Sequence, residues 1–257
     1  MICYAQKYLP VLETGDATVL TTLSGPCRRH VMEALTAYSK YNGTYQRWQE
    51  IRQAHLLKWT NGNESFTSLQ RFFNPSLTLD LMLQQIRRMI EKLPVQMAQI
   101  VRFGCLVGLR PAETVESVRL INNQLLFSKY YNADNQTLEH FRFPDIFLRQ
   151  TKKAYISFVN PEILSEIVKD SDLEKNCKIP SHNYISRTCN RRGIPCSLHF
   201  CRKVFASWLH KYGISTEIVD FLQGRVSTSV FSRHYLTPDS SLKDRVLTAL
   251  HELQKLL

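Results

Sequence analysis

The stretch SLHFCRKVFASWLHKYGISTEIVDFLQGR, residues 197–225, reads as two helices and the turn that ends the second. Ser197 and Ser215 stand where a helix N-cap is favoured. Gly213 and Gly224 stand where a left-handed residue stops a helix. Val204, Phe205, Trp208 and Leu209 give the first helix an apolar face. His199 and Arg202 are three apart and so share one side of that helix. Arg225 follows Gly224 directly and is presented from a turn. Ten residues further on, in VFSRHYLTP (230–238), comes Tyr235.

Upstream, SLTLDLMLQQIRRMIEKLP (76–94) predicts a helix capped by Ser76 or Thr78 and broken at Pro94. VQMAQIVRFGCLVG (95–108) is apolar enough for a buried core helix. Pro111 suits the first position of the next helix. Arg110 therefore sits beside free backbone N–H groups, a natural phosphate site. Glu113 is placed to pair with Arg110 or orient it. Residues 123–129, 141–150 and 154–159 are aromatic and β-branched runs that predict three strands. Lys152 and Lys153 fall at the hairpin between the second and third. Helices are predicted again from PEILSEIVKD (161–170) and SHNYISRTCNRR (181–192). A last helix over 239–257 carries an apolar stripe of Leu242, Val246, Ala249, Leu250, Leu253 and Leu257, which either packs at home or docks on a neighbour. The fold class is mainly α with a small three-stranded antiparallel sheet, an α+β arrangement.

The chain reads as two domains, 1–75 and 76–257. In the first, the opening two dozen residues look irregular, and helices are predicted over 26–41, 44–59 and 66–73. Its exposed Arg and Lys residues suit a phosphate backbone. The net charge of +11 points to a polyanionic partner, with nucleic acid ahead of membrane. No apolar run nears the ~18–20 residues of a membrane span. The start, MICYAQKYLPVLETGD, lacks the pattern of a secretory signal. The seven scattered cysteines read as reduced thiols. Cys189, Cys196, His199 and Cys201 lie close in sequence, but without a C-x-x-C pair their spacing fits no common zinc module.

Taken in order, Arg110, a hairpin lysine, His199-x-x-Arg202, Gly224-Arg225 and Tyr235 resemble the tyrosine recombinase (phage integrase) family. The resemblance covers residues 76–257 and extends loosely to the basic helical unit before them. The common bacterial pattern has Leu-Gly-His where this chain has LQGRV, with the tyrosine nine residues after the histidine instead of ten. Arginine at that place, in LQGRVSTSVFSRHY, together with LRQTKKAYISF, is similar to archaeal integrases, including those of fuselloviruses.

The resemblance implies a site-specific recombinase that cleaves and rejoins DNA through a 3′-phosphotyrosyl link, with no metal, ATP or other cofactor. Tyr235 would be the nucleophile. Arg110 and Arg202 would clamp the non-bridging oxygens, and His199 would help take the tyrosine proton. Arg225 would add charge stabilisation. A lysine would protonate the leaving 5′-oxygen, with Lys152 preferred over Lys153. The implied partners are double-stranded DNA and further copies of the chain, a tetramer in synapsis with the C-terminal helix docked in trans, and no membrane. The implied location is the cytoplasm of the cell that houses the archaeal or viral element. Two other readings fit the same residues: a type IB topoisomerase-like relaxing enzyme, and a basic DNA-binding protein with a decayed site.

Overall fold

A computed structural model describes residues 2–59, 78–149, 152–169, 179–195, 197–225 and 240–257. It divides into two compact units, Met1–Ser76 and Leu77–Leu257.

The first unit is helical: α1 Ile2–Lys7, α2 Leu9–Thr14, α3 Thr18–Thr21, α4 Gly25–Tyr41 and α5 Tyr45–Ala54. Trp48, Met32, Val31, Leu35 and Leu20 are fully buried at its centre. The Trp48 indole N–H donates to Thr36 Oγ1 at 2.8 Å. The opening residues, which look irregular in sequence, form three short helices. Each is too short to show a periodic pattern or to stand alone in water. They form because Val11, Leu12 and Leu20 are buried in the unit's core. Gly15, at φ +80°, closes α2. The second predicted helix ends early, at Ala54, after which Leu56 turns left-handed and outward. The third, over 66–73, lies outside the described residues.

In the second unit, α6 Leu79–Lys92 starts at Thr78, whose hydroxyl accepts from Leu81 N. α7 Val95–Val107 is buried along most of its length, as its apolar composition predicts. α8 Pro111–Ile121 and α9 Gln124–Tyr130 follow. The three-stranded antiparallel sheet is present in the order β1–β2–β5, but two of its strands come from other residues than predicted. They are β1 Tyr131–Asn132, β2 Thr137–Glu139 and β5 Ile156–Phe158. Residues 123–129 are mostly helix α9, because the Asn123 side chain caps it by accepting from Leu126 N at 3.2 Å. Leu126, Phe127 and Tyr130 then meet the core at helical spacing while Leu125 faces out. Within 141–150, a 3₁₀ turn and α10 Pro144–Phe147 replace most of the predicted strand. Proline favours the first helical turn, and Phe147 is buried there. Among the described residues of that run, β3 Leu148–Arg149 is the extended part, and it pairs with β4 Lys152–Lys153 in a separate two-stranded ladder.

The remaining helices are α11 Pro161–Lys169, α12 His182–Arg191, α13 Leu198–Lys211, α14 Thr216–Leu222 and α15 Leu242–Leu256. Ser197 and Ser215 occupy the N-cap positions with extended backbone, though neither hydroxyl makes a capping bond. α13 packs on α7, α6 and α15. The apolar stripe of α15 packs at home: Val246, Ala249, Leu250 and Leu253 are buried, and Trp208 Nε1 on α13 donates to Ala249 O at 2.7 Å. No helix among the described residues is long and apolar enough to cross a membrane.

A polar chain runs through the core beside the sheet. Ser117 Oγ meets Tyr130 Oη at 2.8 Å, Tyr130 Oη meets His140 Nδ1 at 2.6 Å, and His140 Nε2 meets Ser157 Oγ at 2.8 Å. All four residues are buried. Burial pushes the His140 imidazole down from 6.5 to about 3, so it is held neutral. Unfolding lets it take a proton, so this contribution to stability is complete above pH 6.5 and is lost progressively toward pH 3. Urea denaturation between about pH 8 and 5 should show a folding constant falling by up to about tenfold per unit below the upper value, with a flatter profile in His140→Phe.

Candidate active site

The site is assembled where α7, α8, α13, α14 and the β3–β4 hairpin meet. α7 ends at Gly108, whose φ of +63° turns its carbonyl out of the helix. Arg202 on α13 is 4% exposed and spans from this end to that of α14. Its Nη1 donates to Gly108 O at 2.8 Å and its Nη2 to Gln223 O at 3.1 Å. Gln223 returns a bond from Nε2 to Arg202 O at 2.8 Å.

Arg110 stands at the N-cap of α8, as Pro111 predicts. Its backbone N–H donates to Glu113 Oε2 at 3.1 Å, and its Nη1 to Glu113 Oε1 at 3.1 Å. Its Nη2 donates to Gly224 O at 3.1 Å. Arg110 and Arg202 are thus tied to the carbonyls of two consecutive residues, which sets their guanidiniums side by side. Glu113 is 1% exposed and takes a second arginine, Arg149, on Oε1 at 3.2 Å.

Gly224 joins this cluster to the hairpin. Its φ is +68°, and its carbonyl also accepts from Lys153 N at 3.4 Å. A Cβ on Gly224 would lie 2.7 Å from Ala154 N and 2.8 Å from Lys153 C. Arg225 follows, half exposed, with Nη1 on Asp220 Oδ1 at 3.3 Å. His199 lies one turn before Arg202, and its imidazole is held below the usual histidine value. Partial burial contributes most, then the charges of Arg202, Arg225, Lys203 and Arg110. Burial and the charges of Arg110 and Arg225 lower Arg202 to about 10, so it stays cationic near neutrality.

The structure therefore brings Arg110, His199, Arg202, Arg225 and the lysine hairpin together. Lys152 lies in β4 opposite Arg149, and Lys153 opposite Leu148. Tyr235 falls within 226–239, outside the described residues. Of the cysteines near His199, Cys189 and Cys201 are buried, and Cys201 Sγ donates to Val101 O at 3.6 Å, a core contact. Cys196 lies outside the described residues. Sequence reading missed Arg149 and Gln223. Neither carried a signal in its spacing, because Arg149 meets Glu113 and Gln223 meets Arg202 only in the folded chain.

The arginines 110, 149, 202 and 225 face the carboxylates of Glu113 and Asp220, which leaves a positive surplus. Planar, fixed guanidiniums with such a surplus suit a phosphate group. No curated protein matches the chain. A family model described as archaeal phage integrase matches residues 116–245. That span holds Lys152, His199, Arg202, Arg225 and Tyr235, and Arg110 precedes it. Because the match covers just over half of the chain and fits this cationic site, the chain belongs to the archaeal phage integrase family.

Proposed function

We propose that this integrase cuts and rejoins DNA by attack of Tyr235 on a backbone phosphate. The observation that carries the reading is the pairing of Arg110 and Arg202 on the carbonyls of Gly224 and Gln223. Two guanidiniums held this way are preorganised for charge that grows on the non-bridging oxygens in the transition state.

In the forward step the Tyr235 oxygen bonds to phosphorus and the bond from phosphorus to the 5′-oxygen breaks. A phenol ionises only near pH 10, so its proton needs an acceptor. His199, held below the usual histidine value by partial burial and then by its cationic neighbours, suits that task. The departing 5′-oxygen takes its proton from Lys152. The 3′-phosphotyrosyl bond conserves the energy of the phosphodiester, so a 5′-hydroxyl from a second duplex can reverse the step and exchange strands without ATP or metal. Arg225, half exposed at its turn, adds charge at the same phosphate. The first helical unit supplies further backbone contacts to duplex DNA, and several copies of the chain, four in synapsis, bring two duplexes together.

The test uses a nicked suicide duplex built on a site that this protein selects from a random-sequence pool. Incubation in EDTA should give a denaturant-resistant adduct and a released strand with a 5′-hydroxyl. After trypsin, the nucleotide should sit on the peptide His234–Lys243, which contains one tyrosine, Tyr235. No adduct, or a link to any other residue, would overturn the reading.

A further inference from the structure

The β3–β4 register sets Arg149 opposite Lys152 and Leu148 opposite Lys153. Arg149 thus belongs to the hairpin whose Lys153 N–H donates to Gly224 O, the carbonyl that also accepts from Arg110.

The carboxylate at hand is already divided. Glu113 Oε1 accepts from Arg110 Nη1 at 3.1 Å and from Arg149 Nη2 at 3.2 Å, so one oxygen serves two guanidiniums. Glu113 is buried, whereas the Arg149 side chain is 49% exposed and keeps donors toward solvent. A carboxylate that only needed its charge satisfied would be served by Arg110 alone, which already meets both of its oxygens. The second arginine leaves one positive charge in excess beside Arg110.

We propose that Arg149 is a further phosphate-binding residue, held beside Arg110 by Glu113 and donating to a non-bridging oxygen of the DNA backbone. It is a separate ligand from the residues that the spacing of the sequence singles out. Its tie to Glu113 sets its free N–H groups beside Arg110, so the phosphate they meet is the scissile one that Arg110 binds. The proposal rests on the phosphoryl-transfer reading of this site.

Two measurements on the suicide duplex test it, with wild type, Arg149→Ala and Arg149→Lys. The first is the salt dependence of non-covalent binding. Losing one phosphate contact should reduce the slope of log affinity against log salt by about one unit in Arg149→Ala. Arg149→Lys should restore the slope. The second is the single-turnover rate of adduct formation on the duplex and on one with a neutral methylphosphonate at the scissile position. Arg149→Ala should be about 10²-fold slower than wild type on the phosphate. On the methylphosphonate the two should differ by less than about threefold, since the charge that Arg149 answers is gone. An unchanged salt slope, a wild-type rate on the phosphate, or an equal loss on both substrates would overturn the proposal. If wild type itself forms no adduct on the phosphate duplex, the parent reading fails instead.

Discussion

Arg202→Ala is expected to slow DNA strand cleavage by about 10³-fold while changing DNA affinity little. The asymmetry comes from burial. At 4% exposure, Arg202 offers a docking duplex little surface. Its guanidinium is fixed by Gly108 O and Gln223 O, so its expected effect is on charge that develops close by. The substitution also removes the donors that satisfy those two carbonyls, at about 1–3 kcal/mol for each one left unpaired. Stability must therefore be measured alongside rate. Urea denaturation shows how much protein stays folded at the assay temperature, and the cleavage defect should far exceed the unfolded fraction. Arg202→Lys separates charge from geometry. A single ammonium cannot span both carbonyls and present a flat pair of donors, so most of the loss should remain. Cleavage at more than about a tenth of the wild-type rate in Arg202→Ala would remove this residue from the chemistry.

Gly224→Ala should be the most damaging single methyl group in the site. Two penalties coincide there. At φ +68°, an L-residue with a Cβ costs about 1–2 kcal/mol. The new Cβ would also stand within 2.9 Å of Ala154 N, Lys153 C and Ala154 Cα. These are backbone atoms, so no rotamer change relieves the clash and the hairpin must move. The same carbonyl holds Arg110 and Lys153 N, so displacement spreads to both sides of the site. A shift near an ångström in such a constellation costs about 10²-fold in rate. Gly213→Ala is the control. It has a similar φ of +72°, but its Cβ would meet nothing closer than Arg245 Nη2 at 3.8 Å. It should lose stability from backbone strain alone and cleave DNA at the wild-type rate. Equal cleavage by the two variants would show that the contact of Gly224 with the hairpin does not matter.

Much of this architecture was legible in the residues. The apolar period of α7 and α13, Pro111 at a helix start and the glycines at 213 and 224 are local signals, and each element formed where its signal lies. Arg110 and Arg225 stood out because each sits at such a punctuation mark, and His199 and Arg202 because they lie three apart on one helix. What failed was the strand reading of 123–129 and most of 141–150. Aromatic and branched runs fit a strand or a buried short helix equally well until a cap decides, and Asn123 and Pro144 decided for helix. The roles of Gln223 and Arg149 could not be read from spacing. Both depend on partners tens of residues distant, and the Glu113 carboxylate that holds Arg149 looked from sequence like a mate for Arg110 only.

The burial of the α15 stripe also bears on the order in which the protein is made. A ribosome exposes Tyr235 before it has released Leu242–Leu256. A nascent chain at that stage already holds every arginine of the site. It still lacks the helix that covers Trp208 and the apolar flank of α13, on which His199 and Arg202 are mounted. The helix packed behind His199 and Arg202 thus arrives after them, so an unfinished chain has the cationic groups of the site but not the framework that aligns them.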